Sequence, residues 1–247
     1  MKGKKIKILA VIVIIAVAGG AYAYLNTDLD DIINPPPASP YEDLTTYIHD
    51  GEPIGSPPYM ALLSNHTIQI SNMPRIAECY FQKAMPIGSD DFTLEFYINA
   101  TELEKNPTLT GVGGTLTMLF TNDSGTTNSQ ISQLNDDGIQ FTFREYTNET
   151  DYTYYLIQIR SRMGTTTDYW QEMWGQLNTI YKIQISRTAG VERNVAMKVF
   201  DIGNNLLGTR TIKDDTVINY FLPMCGRGGG GADNLQSSGF AYNFLFS

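Results

Sequence analysis

Two cysteines, two histidines and two tryptophans in 247 residues leave this chain with little reactive side-chain chemistry. Zinc sites and cysteine or serine triads need Cys, His and acidic groups at set spacings, and neither Cys-His spacing nor a serine nucleophile elbow is present. His49 and His66 are the only imidazoles. Basic residues are also scarce, 17 against 26 acidic ones, for a net charge of −9. Such a surface repels phosphate backbones, which argues against nucleic acid as a partner. The stretch GRGGGGAD at 226–233 lacks the Lys-Ser/Thr of a phosphate loop. Its glycines instead suit tight turns against neighbouring strands. No internal repeat is present.

The chain does contain one long apolar run. Lys2, Lys4, Lys5 and Lys7 precede 18 uncharged residues, Ile8 to Leu25. As a helix these would extend roughly 27 Å, close to the hydrocarbon thickness of a bilayer. The lysines favour the cytoplasmic side, which would export everything that follows. Residues 1–25 therefore read as a transmembrane anchor, with membrane contact through 8–25. Ala21-Tyr22-Ala23 also allows a cleaved signal peptide and a secreted product. Residues 26–63 form an expected tether, short pieces of which could dock on the sheet: seven of the 11 prolines and seven acidic residues lie between 26 and 58, without a lysine or arginine. Four N-glycosylation sequons, at Asn65, Asn99, Asn122 and Asn148, agree with export, although a chain rich in Asn and Thr produces sequons by chance.

From about residue 64 the hydrophobic period is two, the signature of half-buried strands. In DFTLEFYI, Phe92, Leu94, Phe96 and Ile98 alternate with Thr93, Glu95, Tyr97 and Asn99. GIQFTFREY sets Ile139, Phe141 and Phe143 against Gln140, Thr142 and Arg144; YYLIQIRS, YKIQISRT and NVAMKVFDI repeat the device. The closing FAYNFLFS would place Phe240, Tyr242, Phe244 and Phe246 on one face. Turn-forming clusters such as NDDG and IGNN separate these runs. The expected fold is all-β, an antiparallel two-sheet sandwich over 64–247. Its core holds Phe92, Leu94, Phe96, Phe141, Phe143, Ile183, Ile185 and Phe244. Only DYWQEMWGQL looks capable of a helical turn.

DFTLEFYI, followed by GTLTMLF, DDGIQFTF, YKIQISRT, VAMKVFDIGNNLLGT and the glycine-rich stretch before the last strand, resembles the concanavalin A-like lectin/glucanase superfamily, in its laminin-G-like branch. The resemblance covers roughly residues 64–247 and departs from the family at Tyr97, where tryptophan is common. It implies a jelly roll and leaves function open. A hydrolase of this superfamily would carry acid residues at alternate positions of one strand. The glutamate-x-aspartate-x-glutamate pattern is absent, and Glu102 and Glu104 read as a turn before Pro107. We therefore expect a non-enzyme. Because early and late strands commonly pair in such sandwiches, Cys79 and Cys225 are expected to form a disulfide; the alternative is two buried thiols. Related domains often hold calcium at a loop edge, and Asp136 and Asp137 (with Asp90-Asp91) offer hard oxygen donors, although Asp-Asp-Gly is also an ordinary hairpin turn.

Tyr169, Trp170 and Trp174, beside Asp168 and Glu172, are the residues most suited to recognition. An exposed aromatic face can stack on a sugar while carboxylates accept from its hydroxyls. The same segment could instead be a short helix plugging the sandwich, with the tryptophans one turn apart and facing the core. Two functions follow: a surface-anchored carbohydrate-binding module, or a structural subunit of a surface assembly such as a virion coat or filament. The partners would be a glycan or a neighbouring surface protein, with a homo-oligomer as one form of the latter.

Overall fold

The computed structural model describes residues 41–44, 60–64, 66–74, 79–80, 85–86, 91–105, 111–121, 138–147, 153–163, 167–188, 194–214, 220–225 and 235–247. Residues 1–25 and most of the tether lie outside them. No helix among the described residues is long and apolar enough to cross a membrane.

The described chain is built from antiparallel strands in two sheets. The first sheet contains β1 (Met60–Ser64), β2 (Thr67–Pro74), β5 (Phe92–Leu103), β10 (Tyr181–Thr188), β11 (Asn194–Phe200), β12 (Leu206–Lys213) and β14 (Gln236–Phe246). Its spatial order is β1-β2-β14-β5-β10-β11-β12. The second contains β3 (Cys79–Tyr80), β6 (Gly111–Thr121), β7 (Gly138–Thr147), β8 (Thr153–Met163), β9 (Thr167–Trp174) and β13 (Tyr220–Cys225). Its order is β3-β13-β6-β7-β8-β9, with β4 (Met85–Pro86) pairing β13. This is the sandwich that the two-residue period implies.

The core fills the space between the sheets, and every residue assigned to it from the sequence is buried. Phe96 of the first sheet meets Phe141 of the second edge to face at 5.2 Å and stacks on Phe244 at 5.4 Å. Phe92 stacks on Phe120 across the sheets at 5.7 Å. Burying each such ring stabilises the fold by about 2–3 kcal/mol. One end of the sandwich is joined by polar groups instead. Arg187 of β10 pairs with Asp214 at 3.3 Å, and the Ser161 hydroxyl of β8 donates to the same carboxylate at 2.6 Å, all three side chains being buried.

Three expectations are corrected. The folded unit begins before residue 64: β1 starts at Met60, and the compact unit extends back to Tyr41. Leu44 is buried in the core, Glu42 N–H donates to Phe244 O at 2.7 Å, and His66 Nδ1 lies 2.9 Å from Glu42 O. Burial of apolar Leu44 accounts for the docking of residues 41–44.

The four aromatic residues of β14 do not share a face. Asn243 adopts φ 56°, and the β14–β5 register shifts between Tyr242 and Leu245. That bulge changes the phase of the strand, so Ala241 and Phe244 both point inward. Phe240 and Tyr242 are left on the outer side, where Tyr242 stacks on Tyr97 at 5.4 Å.

The third correction is DYWQEMW, which forms β9 rather than a helix. Residues four apart share a face in either element, so the spacing of the tryptophans could not distinguish them. Pairing with β8 over Met163–Leu156 decides for the strand.

Candidate functional site

The site is made by alternation on three neighbouring strands of the second sheet. In β7, Ile139, Phe141 and Phe143 enter the core, which sends Gln140, Thr142 and Arg144 to the other side. In β8, Ile157 and Ile159 are buried in the core, so Leu156, Gln158 and Arg160 face outward. In β9, Met173 is the inward residue and Trp170, Glu172 and Trp174 are turned away.

Register then aligns these outward residues in rows across the strands. Gln140 is opposite Arg160, which is opposite Trp170. Thr142, Gln158 and Glu172 form the second row, and Arg144, Leu156 and Trp174 the third. Partners in an antiparallel pair have Cβ atoms about 5 Å apart, so each row is a set of side chains in reach of one another.

Arg144, Leu156, Gln158, Arg160, Trp170 and Glu172 from these rows line a cleft of about 440 Å³, to which Tyr146 also contributes. Gln158 is buried in its lining, and Thr142 of β7 with Thr115 and Thr117 of β6 are buried on the adjoining strands. The rim is aromatic: Trp170 is 56% exposed and Trp174 65%, with the latter edge to face with Tyr154 at 4.7 Å. These exposures exclude the reading of the tryptophans as a core plug.

Glu172 organises the polar part of the cleft. Its Oε2 accepts from Arg144 Nη2 at 3.1 Å and from Gln158 Nε2 at 3.3 Å. Arg144 also lies over the Tyr146 ring, 5.7 Å from its centre. Edge strand β9 is held from the first sheet, because Arg210 Nε–H of β12 donates to the Glu172 carbonyl at 2.7 Å. Beside it Gly208 receives Met173, whose Cε would lie 3.1 Å from any Cβ at that position.

Of the residues singled out in the sequence, Trp170 and Trp174 reach this cleft or its rim. Asp168 and Tyr169 belong to the same strand, in register with Arg162 and Ser161, and their side chains lie outside the description. Asp136, Asp137, Asn65, Asn122 and Asn148 lie outside the described residues. No group of three or more His, Cys, Asp and Glu capable of holding a metal occurs among the described residues. Asn99 sits within β5 on the outer face of the first sheet, half-buried, with its amide oxygen enclosed.

Glu102 and Glu104 serve the fold. Glu104 accepts from the Gln236 amide at 2.6 Å, and Glu102 from the Ser238 hydroxyl at 3.3 Å, fastening the start of β14.

The arginines were missed as site residues. The signal was present, since Arg144 and Arg160 occupy outward phases of their strands, but only the register brings them to one surface.

No protein-family model and no curated protein matches the sequence. Solved structures do match in fold. The Ca2+/Man-bound exoplasmic/lumenal domain of VIP36 superposes with a TM-score of 0.51 at 13% identity, over 81% of this chain and 88% of that one. The Emp47p carbohydrate recognition domain gives 0.50 at 12% identity, over 83% and 92%. The PL7 alginate lyase AlyA1 from Zobellia galactanivorans gives 0.46 at 14% identity, over 78% and 81%. The likeness to the VIP36 and Emp47p domains shows the fold, a two-sheet antiparallel jelly roll, in agreement with the strand order described above.

Proposed function

We propose that this protein is a non-catalytic carbohydrate-binding module of the cell exterior, anchored through residues 8–25 and reading glycans with the β7–β9 cleft. The observation that carries the proposal is the cleft itself. Exposed indole surface at Trp170 stands beside Gln158, Glu172 and Arg144 in a recess large enough for a sugar. Aromatic faces stack on the apolar side of a pyranose, and amides, carboxylates and guanidiniums meet its hydroxyls. The lectin domains that share the fold are described as mannose-bound or carbohydrate-recognising, which supports a sugar ligand as an analogy of fold.

The non-catalytic part rests on how the carboxylates are used. Glu172 is engaged by Arg144 and Gln158, while Glu102 and Glu104 fasten β14. General acid and base catalysis at a glycosidic bond calls for two carboxyl groups flanking it. The laminin-G-like assignment within the superfamily and a calcium ion near Asp136 and Asp137 belong to this proposal, as do sugars on the sequons.

A glycan array probed with the full chain tests the reading, with and without calcium. Binding should occur, and Trp170→Ala should weaken it by about tenfold without lowering the melting temperature. Absence of binding to every glycan, or new reducing ends released from a bound polysaccharide, would contradict the binding-module assignment. Extraction of membranes with carbonate tests the anchor: release of the protein with a new N-terminus near Tyr24 would make it secreted instead.

A further inference from the structure

We infer that the β7–β9 cleft holds an interior stretch of a linear, ribbon-like polysaccharide, laid along β9 with one sugar on Trp170 and a later sugar on Trp174. The inference rests on the glycan reading above and adds the length, shape and direction of the ligand.

Its first support is the placing of the indoles. The chain has two tryptophans, and both stand exposed on β9, although tryptophan is highly buried on average. They occupy the same outward phase of the strand, four positions apart, which separates their backbone positions by roughly 13 Å. That span exceeds one pyranose ring. A single sugar therefore covers one indole and leaves the other bare.

The second support is where the recess ends. Trp170 lines the cleft, and Trp174 stands beyond its lining. A ligand that fills the recess and also covers Trp174 has to continue past its end, as a chain of sugars does and a compact terminal sugar does not. Glu172 lies midway between the indoles on the same face, with Gln158 donating to it at 3.3 Å. A middle sugar thus meets polar groups for its hydroxyls, between two apolar platforms for its neighbours.

The third support is that the platforms are fixed and in line. β9 pairs with β8 from Thr167 to Trp174 without a register shift, and Arg210 of β12 holds the Glu172 carbonyl at 2.7 Å. Trp174 is further braced edge to face by Tyr154 at 4.7 Å. Rigid platforms on a straight strand favour a ligand whose own ring faces already lie in line, because little ordering is then left to do on binding. Pyranoses joined by equatorial β-1,4 linkages form such a ribbon. Chains joined by α-1,4 linkages coil and turn successive faces away.

The test titrates cello- and manno-oligosaccharides, from disaccharide to hexasaccharide, and maltohexaose into the full chain while tryptophan fluorescence is read. Trp174→Phe leaves Trp170 as the sole indole, and Trp170→Phe leaves Trp174. A straight hexasaccharide should change the emission of both variants, and a disaccharide that of one. Affinity of the unaltered protein should rise about tenfold or more from disaccharide to hexasaccharide, and Trp174→Ala should remove most of that rise. Maltohexaose should bind no more tightly than a disaccharide. Equal affinity for disaccharide and hexasaccharide, emission changes confined to one indole, tighter binding of maltohexaose, or binding only of array glycans outside the two straight series would overturn this inference and leave the glycan reading standing. Binding of no glycan at all would remove both. The length series uses the unaltered protein, so it decides even if a tryptophan variant fails to fold.

Discussion

Cys79 and Cys225 are directly opposite one another in the β3–β13 pair, 146 positions apart in sequence. Opposed residues of an antiparallel pair have Cα atoms about 4.5 or 5.5 Å apart, inside the range a disulfide needs. We predict that this pair is bonded when the protein is held under oxidising conditions. Closing so long a loop would contribute about 4–5 kcal/mol on the chain-entropy account. Thiol titration of the unfolded, unreduced chain should find no free thiol, and two per chain would refute the bond. Cys225→Ser should then unfold at lower denaturant than the parent under oxidising conditions and match it under reducing ones.

Phe96 touches partners on two strands, Phe141 of β7 and Phe244 of β14, and is fully buried. Phe96→Ala should cost about 3–5 kcal/mol, from lost burial and the cavity left between the sheets. Urea unfolding would measure it. A loss below about 1 kcal/mol would mean that the sheets do not pack through this ring.

Arg187 and Asp214 form a buried ion pair linking β10 to the end of β12. Removing one charge leaves the other in the interior, so Asp214→Asn should destabilise by about 3–5 kcal/mol. Arg187→Met combined with Asp214→Leu should recover most of that loss, because hydrophobic replacements remove both desolvation costs. A double-mutant cycle of the parent, Arg187→Met, Asp214→Leu and the double variant gives the coupling. Additive losses would show that the two side chains act independently.

Glu95 lies beside Lys182 at 2.8 Å and Gln184 at 2.7 Å on the outer face of the first sheet. Burial pushes its carboxyl up, but the hydrogen bonds from Lys182 and Gln184 and the Lys182 charge together hold it below the ordinary glutamate value. A carboxyl lowered on folding adds stability above its unfolded pKa, and that increment is lost as pH falls through the folded value. The pair is partly solvated, so the increment should be only about 0.5 kcal/mol. Lys182→Met should move the Glu95 titration upward in carbon-detected NMR. An unchanged midpoint would mean that lysine does not set it.

The sequence by itself determined the layered fold and its core. Phe92 to Ile98, Ile139 to Phe143 and Ile183 to Ile185 repeat every second residue, and only strands can bury such a pattern on one side. Local backbone geometry and apolar burial act over a few residues, so a single segment carries them. It did not determine which phase each strand keeps after a bulge, which is why Phe240 and Tyr242 were placed with Phe244 until Asn243 turned the strand over. Nor could it choose strand over helix for DYWQEMW, where the neighbour β8 supplied the hydrogen bonds that settled the matter. The cleft belongs to the same category. Arg144 of β7, Gln158 and Arg160 of β8 and Glu172 of β9 meet only because pairing of these three strands fixes their rows. Register is a property of paired strands, and no one segment contains it.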